Sequence, residues 1–230
     1  MSISDNIKII NEKIEAAAQR SGRSLKDITL VAVTKTVGVP QINEAIAAGV
    51  KVLGENRVQE LTEKYPLVSG AAWHLIGHLQ TNKVKYIVGK VGLIHSVDSI
   101  RLAQEIDKRA KARGIVQDIL IEINISGEAT KFGISPDYIE EFIGGVQNMQ
   151  NIKVCGLMTI APLGATRAET AKLYENCNNL LIDIGGKKYH NIHMTTLSMG
   201  MSGDFEIAIE CGANVVRIGT GIFGRRNYNL

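Results

Sequence analysis

A chain of 230 residues with 45% hydrophobic and 21% charged side chains carries enough apolar material for one large domain, and disorder is not expected to dominate it. Its formal charge of +3, from 26 basic and 23 acidic residues with no polybasic block, argues against nucleic acid or a membrane surface as partner and leaves a small anionic ligand compatible. The three cysteines, Cys155, Cys177 and Cys211, are odd in number and lack CxxC or Cys/His spacing. Neither a disulfide framework nor a zinc site is expected, and without a basic-then-apolar leader or a long apolar run the expected compartment is the reducing cytoplasm.

In chain order, Ile3, Ile7, Ile10, Ile14, Ala17 and Ala18 recur at helical spacing and predict a first amphipathic helix, stopped by Gly22. The first strand is Thr29-Leu30-Val31-Ala32-Val33, and it ends in Thr34-Lys35-Thr36. A lysine at the mouth of an apolar strand sits where water is partly excluded, which favours the neutral amine and so attack on a carbonyl. An ordinary solvated loop lysine is the alternative.

The pattern then repeats. A helix with Ile42, Ala45 and Ile46 leads to a strand over 50–54 closed by Glu55-Asn56-Arg57, and a helix with Val58 and Leu61 leads to a strand over 72–77 ending at His78. Gln80-Thr81-Asn82-Lys83 opens a helix through Ile87, before a fourth strand over 92–97. Asp98 or Ser99 caps the next helix, whose basic end at Lys108, Arg109, Lys111 and Arg113 suits a helix carboxyl terminus. The fifth strand falls within the apolar run Val116 to Ile125, with Glu122 and Asn124 inside it, and Ser135-Pro136 opens a helix. Strands over 154–158, 192–197 and 214–219 complete the series, separated by helices over 166–184 and 205–209.

Eight strands alternating with helices predict a single-domain α/β fold, a closed parallel (β/α)8 TIM barrel over 1–230 with an extra N-terminal helix. An open doubly wound sheet is the competitor, disfavoured by the count of eight and by the lack of G-x-G-x-x-G after the first strand. Barrel active sites gather where strands end, so the candidates are Lys35, Asn56, His78, Ser96, Asn124, Met158, Ser198 with Met199, and Gly219 with Thr220.

The stretches Leu197-Ser198-Met199-Gly200-Met201-Ser202-Gly203 and Arg217-Ile218-Gly219-Thr220-Gly221-Ile222-Phe223-Gly224 combine glycines with hydroxyls. Such loops let backbone N–H groups approach a phosphate; glycine turns needed only to close the barrel are the alternative. Alternation puts Arg217 on the same face as Val215 and Gly219, pointing into the barrel. A buried guanidinium needs an acceptor, either a structural partner such as Glu122 or Glu210, or a cofactor's ring nitrogen. His78 and His193 have no carboxylate close in sequence and read as structural histidines.

The segments V-A-V-T-K, G-E-N-R-V-Q-E, W-H-L-I-G-H-L-Q-T-N-K, H-S-V-D-S, G-L-M-T-I, L-S-M-G-M-S-G-D and V-R-I-G-T-G-I-F-G-R-R span nearly the whole chain in order. Together they resemble the pyridoxal phosphate (PLP) homeostasis protein family, whose fold is similar to the barrel domain of alanine racemase (PLP fold type III). The resemblance implies that Lys35 forms an internal aldimine with PLP, that Ser198, Gly219 and Thr220 hold the phosphate, that Arg217 faces the pyridine nitrogen, and that Asn56 lines the cofactor's face. It implies a monomeric PLP-binding protein that helps keep PLP, amino-acid and keto-acid pools in balance without appreciable catalysis, with PLP-dependent apoenzymes as recipients. The alternative is a PLP-dependent amino-acid racemase, which needs a base on each face of the carbanion. In the resembling racemases the second base is a tyrosine from an additional β domain, contributed by a partner subunit; the chain ends at Leu230, so no such domain is expected, and Tyr65 and Tyr228 are the substitutes to consider. A sugar-phosphate barrel enzyme without PLP is a third reading.

Overall fold

The computed structural model describes residues 1–128, 131–187 and 189–224. Among them eight parallel strands close into a barrel in sequence order: β1 Thr29–Val33, β2 Val52–Glu55, β3 Ala72–Leu75, β4 Leu93–Val97, β5 Gln117–Glu122, β6 Ile152–Met158, β7 Ile192–Ser198 and β8 Val215–Ile218. The barrel expectation holds, and the open sheet is excluded because β1 pairs with both β2 and β8.

The α-helices are α1 Ile3–Arg20, α2 Val39–Ala47, α3 Val58–Lys64, α4 Ile100–Ala112, α5 Ile139–Val146, α6 Arg167–Gly185, α7 Phe205–Glu210 and α8 Thr220–Phe223. The segment after β3 differs from the expected helix. Residues Thr81–Tyr86 form a 3₁₀ turn, a tighter winding that suits so short a connection. Ser99, not Asp98, caps α4.

The N-terminal helix has a definite structural role. Ser2 and Asp5 form a reciprocal capping box at its start, and Ile7, Ile10, Ile14, Ala17 and Ala18 bury one stripe. That stripe packs against α7, α8 and α2, and the Asn6 side-chain amide donates to the Ile222 carbonyl at 2.8 Å. Since α8 has only four residues, α1 supplies the outer-layer cover that a full eighth helix would give.

Most of the core lies between strands and helices, while the barrel interior holds two smaller apolar groups. One is Val31, Val33, Ile76 and Val215; the other is Leu93, Leu120, Cys155 and Met158. Buried polar side chains share that interior with them. Register shifts in β4 to β7 re-aim side chains, and one requires Gly156: a Cβ there would lie 1.8 Å from the Thr196 carbonyl oxygen. Cys155 and Cys177 are buried free thiols, each pushed up to about 12 by burial. No helix among the described residues is long and apolar enough to cross a membrane.

Candidate functional site

Strand alternation places Val31 and Val33 inside the barrel, so Lys35, two residues on, continues the inward face at its mouth. Lys35 is half-buried, and its ammonium forms no hydrogen bond or ion pair among the described residues. The backbone around it is held firmly. The Val37 N–H donates to the Thr34 carbonyl at 2.9 Å, closing a turn in which Thr36 takes φ 60, a conformation L-residues adopt at a cost.

Glu60 holds that turn by accepting from the Thr36 N–H at 2.7 Å. Beneath it, the fully buried Thr34 donates its hydroxyl to Glu55 at 2.7 Å and accepts from Lys64 Nζ through its carbonyl at 2.8 Å. Lys64 also reaches Glu60 at 2.9 Å. Burial raises the Glu55 carboxyl above its ordinary value, with Lys64 and Thr34 pulling the other way. Burial likewise pushes Glu60 up, but the Thr36 N–H and the Lys64 ammonium win, and its pKa is lowered.

Asn56 continues the inward face of β2, and its Oδ1 is buried without a partner. Its backbone lies so close to Gly77 that a Cβ on Gly77 would sit 2.3 Å from the Asn56 carbonyl oxygen. His78 follows, with Nδ1 3.4 Å from Asp98 Oδ2 and its ring stacked on Phe132 at 4.1 Å. The carboxylate that sequence proximity did not offer His78 is thus supplied by the end of β4.

Across the mouth, Gly219 is buried while Thr220 and Gly221 are exposed. The Gly221 N–H donates to Ser202 Oγ at 3.2 Å, which joins the seventh and eighth loops. Asp204 shapes the seventh loop: its Oδ1 accepts from the Met201 N–H at 2.6 Å and its Oδ2 from the Tyr174 hydroxyl at 2.7 Å.

Ser198 is not part of that rim. It pairs with Val215, four residues before Gly219 on β8, roughly 13 Å down the strand at about 3.3 Å per residue. The fully buried hydroxyl instead accepts from Arg217 Nη1 at 2.6 Å and lies 3.0 Å from His95 Nδ1. The hydroxyl at the rim is Ser202, in the same glycine-rich stretch.

Arg217 points inward as alternation predicts. Its Nη2 donates to the Thr159 carbonyl at 2.9 Å, and no carboxylate lies within 4.0 Å of it among the described residues. Glu210, one suggested partner, pairs on the outside with Arg20 and Arg167. Glu122, the other, is buried with Oε2 unpartnered; burial first and then Asp98 raise it to about 7, against the pull of Arg217.

His74 and His95, neither a candidate from the strand ends, complete the interior, with His74 Nδ1 3.0 Å from His95 Nε2. Burial lowers His74 to about 4, and burial, His74 and Arg217 together hold His95 well below the ordinary range. The alternation that turns Arg217 inward would have shown both, since each lies on an inward-facing strand position.

A half-buried lysine, an orphaned amide oxygen and an uncompensated arginine thus line the mouth and interior, with a hydroxyl-bearing glycine cradle at the rim. This donor set fits a ligand with a carbonyl, an aromatic nitrogen and a phosphate. Among the described residues no group of three or more His, Cys, Asp or Glu could hold a metal ion. Tyr65 lies among Ala72, Gly89, Lys90 and Gln117, at the opposite, strand-start end, and Tyr228 falls outside the described residues.

Residues 6–227 match the family model described as "Alanine racemase, N-terminal domain". The chain is 44% identical over 230 residues to the pyridoxal phosphate homeostasis protein of Aquifex aeolicus, covering 99% of this chain and 100% of that one. The structure of PipY from Synechococcus elongatus with PLP bound superposes with TM-score 0.82 at 32% identity, over 97% of this chain and 100% of that chain. Alanine racemase of Clostridium difficile shares the fold at TM-score 0.70 and 19% identity, over 98% of this chain and 58% of that one.

Proposed function

Because the chain belongs to the pyridoxal phosphate homeostasis proteins, within the alanine racemase N-terminal domain family, we propose that it binds PLP reversibly and takes part in its intracellular homeostasis. Amino-acid and keto-acid balance would follow from the free PLP level. What supports this reading is that Lys35 and Asn56 follow the inward faces of the neighbouring strands β1 and β2 at the barrel mouth, that Arg217 turns inward on β8, the other neighbour of β1, and that the Ser202–Gly221 contact lies just past the end of β8.

In this reading Lys35 is the covalent anchor through Nζ, held in place by a backbone that Glu60 and Lys64 brace from outside. Arg217 donates to the ring nitrogen. It cannot give up its proton at ordinary pH, so it hydrogen-bonds the ring without protonating it. Gly219, Thr220 and Ser202 take the phosphate; Asn56 lines the cofactor's face. Bound PLP supplies an electrophilic aldehyde and an electron-withdrawing ring, which an unprotonated nitrogen leaves weak.

The proposal includes the absence of appreciable turnover. Tyr65, one of the two tyrosines considered as a second base, lies at the other end of the barrel. A monomer in the cytoplasm, passing PLP to apoenzymes, completes the reading; a sedimentation coefficient larger than one barrel's would remove the monomer from it.

The test is the visible spectrum of purified protein before and after borohydride reduction, with mass mapping of the modified peptide. Label on Lys35, and its loss in Lys35→Ala, is expected; label elsewhere in the wild type overturns the assignment. Incubation with single L-amino acids in D2O tests the rest, since α-deuterium above the rate with free PLP would make the protein an enzyme.

A further inference from the structure

The barrel interior contains a file of four polar side chains, Arg217, Ser198, His95 and His74, joined by contacts of 2.6, 3.0 and 3.0 Å. Its direction follows from donor and acceptor arithmetic. Arginine only donates, so Ser198 Oγ accepts from Nη1 and must place its own single proton elsewhere. Among the described residues His95 Nδ1 is the other polar atom hydrogen-bonded to Ser198 Oγ, so the hydroxyl donates there. An imidazole whose Nδ1 accepts carries its proton on Nε2, and His95 Nε2 therefore donates to His74 Nδ1. The same reasoning puts the His74 proton on Nε2. The reverse arrangement would leave a fully buried serine proton with no acceptor, a loss a buried site resists.

We propose that His95 is a positioning residue for Arg217: the one-way file Arg217→Ser198→His95→His74 fixes the direction of the guanidinium without giving it a counter-charge. A carboxylate in place of Ser198 would also orient the arginine, but would neutralise it and compete for the N–H groups that face the mouth. Here the second anchor is a neutral backbone oxygen, that of Thr159, and Nε makes no hydrogen bond among the described residues. The guanidinium is thus held at two points and keeps its charge and donors for an acceptor at the mouth. Alignment of the hydrogen bonds in one direction strengthens each of them in a low-dielectric interior. The inference rests on the reading of PLP as the ligand, whose ring nitrogen is that acceptor.

The experiment has an arm that needs no cofactor. Long-range ¹H–¹⁵N correlation spectra of the PLP-free protein report each histidine tautomer, and protons on Nε2 of both His74 and His95 are expected. A proton on Nδ1 of His95 overturns the file. The second arm titrates PLP carrying ¹⁵N in the ring into wild type, His95→Leu, Ser198→Ala and His95→Asn. His95→Leu and Ser198→Ala, the latter a milder change should the former fail to fold, are expected to weaken binding roughly tenfold, about one well-placed hydrogen bond, and to move the ring ¹⁵N shift. In His95→Asn the amide oxygen takes the serine proton, and binding and shift should stay near wild type. Unchanged affinity and shift in both His95→Leu and Ser198→Ala overturn the positioning role. Wild type that takes up no PLP overturns the cofactor reading itself, while the tautomer arm still decides the file.

Discussion

The Lys64 ammonium lies 2.7 Å from Oε1 of Glu55, a carboxylate with no solvent exposure, and the same ammonium binds the carbonyl of Thr34, next to Lys35. One largely buried lysine, reaching in from α3, thus compensates a buried charge and fixes the backbone that carries the proposed anchor. Removing one partner of such a pair leaves an uncompensated charge inside, which costs about 3–5 kcal/mol. Lys64→Met is expected to lose that much in urea unfolding. Adding Glu55→Gln should restore most of it, because an amide needs no counter-ion. A loss under 1 kcal/mol in the single variant would show that the pair contributes little.

Close backbone approach makes Gly77 the most sensitive glycine of the proposed site. The atoms a Cβ would meet belong to the Asn56 main chain, at 2.3 and 2.7 Å, and cannot move aside like the end of a side chain. Gly77→Ala should destabilise by about 2–3 kcal/mol, at the upper end for overpacking, and weaken PLP uptake by displacing Asn56. Gly144→Ala in α5, where nothing lies within 4 Å, serves as control and should gain up to about 1 kcal/mol from helix propensity. Equal thermal midpoints for Gly77→Ala and wild type would contradict the geometry.

Ser198 at the end of β7 and Ser202 in the loop that follows should separate cleanly by ligand. Ser202 stands at the rim beside Gly221, so Ser202→Ala should weaken PLP roughly tenfold and leave pyridoxal, which lacks the phosphate, unaffected. Ser198 acts behind Arg217, so Ser198→Ala should weaken both ligands. Fluorescence titration with the two compounds checks this. Loss of PLP alone in Ser198→Ala would return the phosphate role to Ser198.

Glu122 and His74 give the PLP-free protein opposed pH dependences. Glu122 is raised from 4.5 to about 7, so the folded state keeps a proton that the unfolded state releases. Its contribution is full below pH 4.5 and disappears as pH rises through 7. His74 is lowered from 6.5 to about 4, so its contribution is full above pH 6.5 and disappears as pH falls through 4. Between pH 4.5 and 6.5 the two offset each other. Glu122→Gln should therefore gain on wild type steadily from pH 4.5 to pH 7, by on the order of 3 kcal/mol in all. Parallel stability curves for the two proteins over that window would show that Glu122 titrates normally.

The sequence by itself determined the barrel, because eight short apolar runs separated by helical periodicity leave few other ways to bury both faces of a parallel sheet. It also determined which residues stand at strand ends: Lys35, Asn56, Gly219 and Thr220 follow from where each apolar run stops, and Arg217 from period-two alternation. Only the tertiary structure decided depth and partnership. Ser198 and Ser202 are four residues apart in one glycine-rich stretch, yet Ser198 ends β7, where the β7–β8 register puts it under Arg217, and Ser202 is left at the rim. His74, His95, Ser198 and Arg217 come from four strands spread over 144 residues, since 217 − 74 is 143 steps, and nothing local links them. Closure of the barrel brings them within hydrogen-bond reach, and a buried polar group must find its partner wherever closure places one.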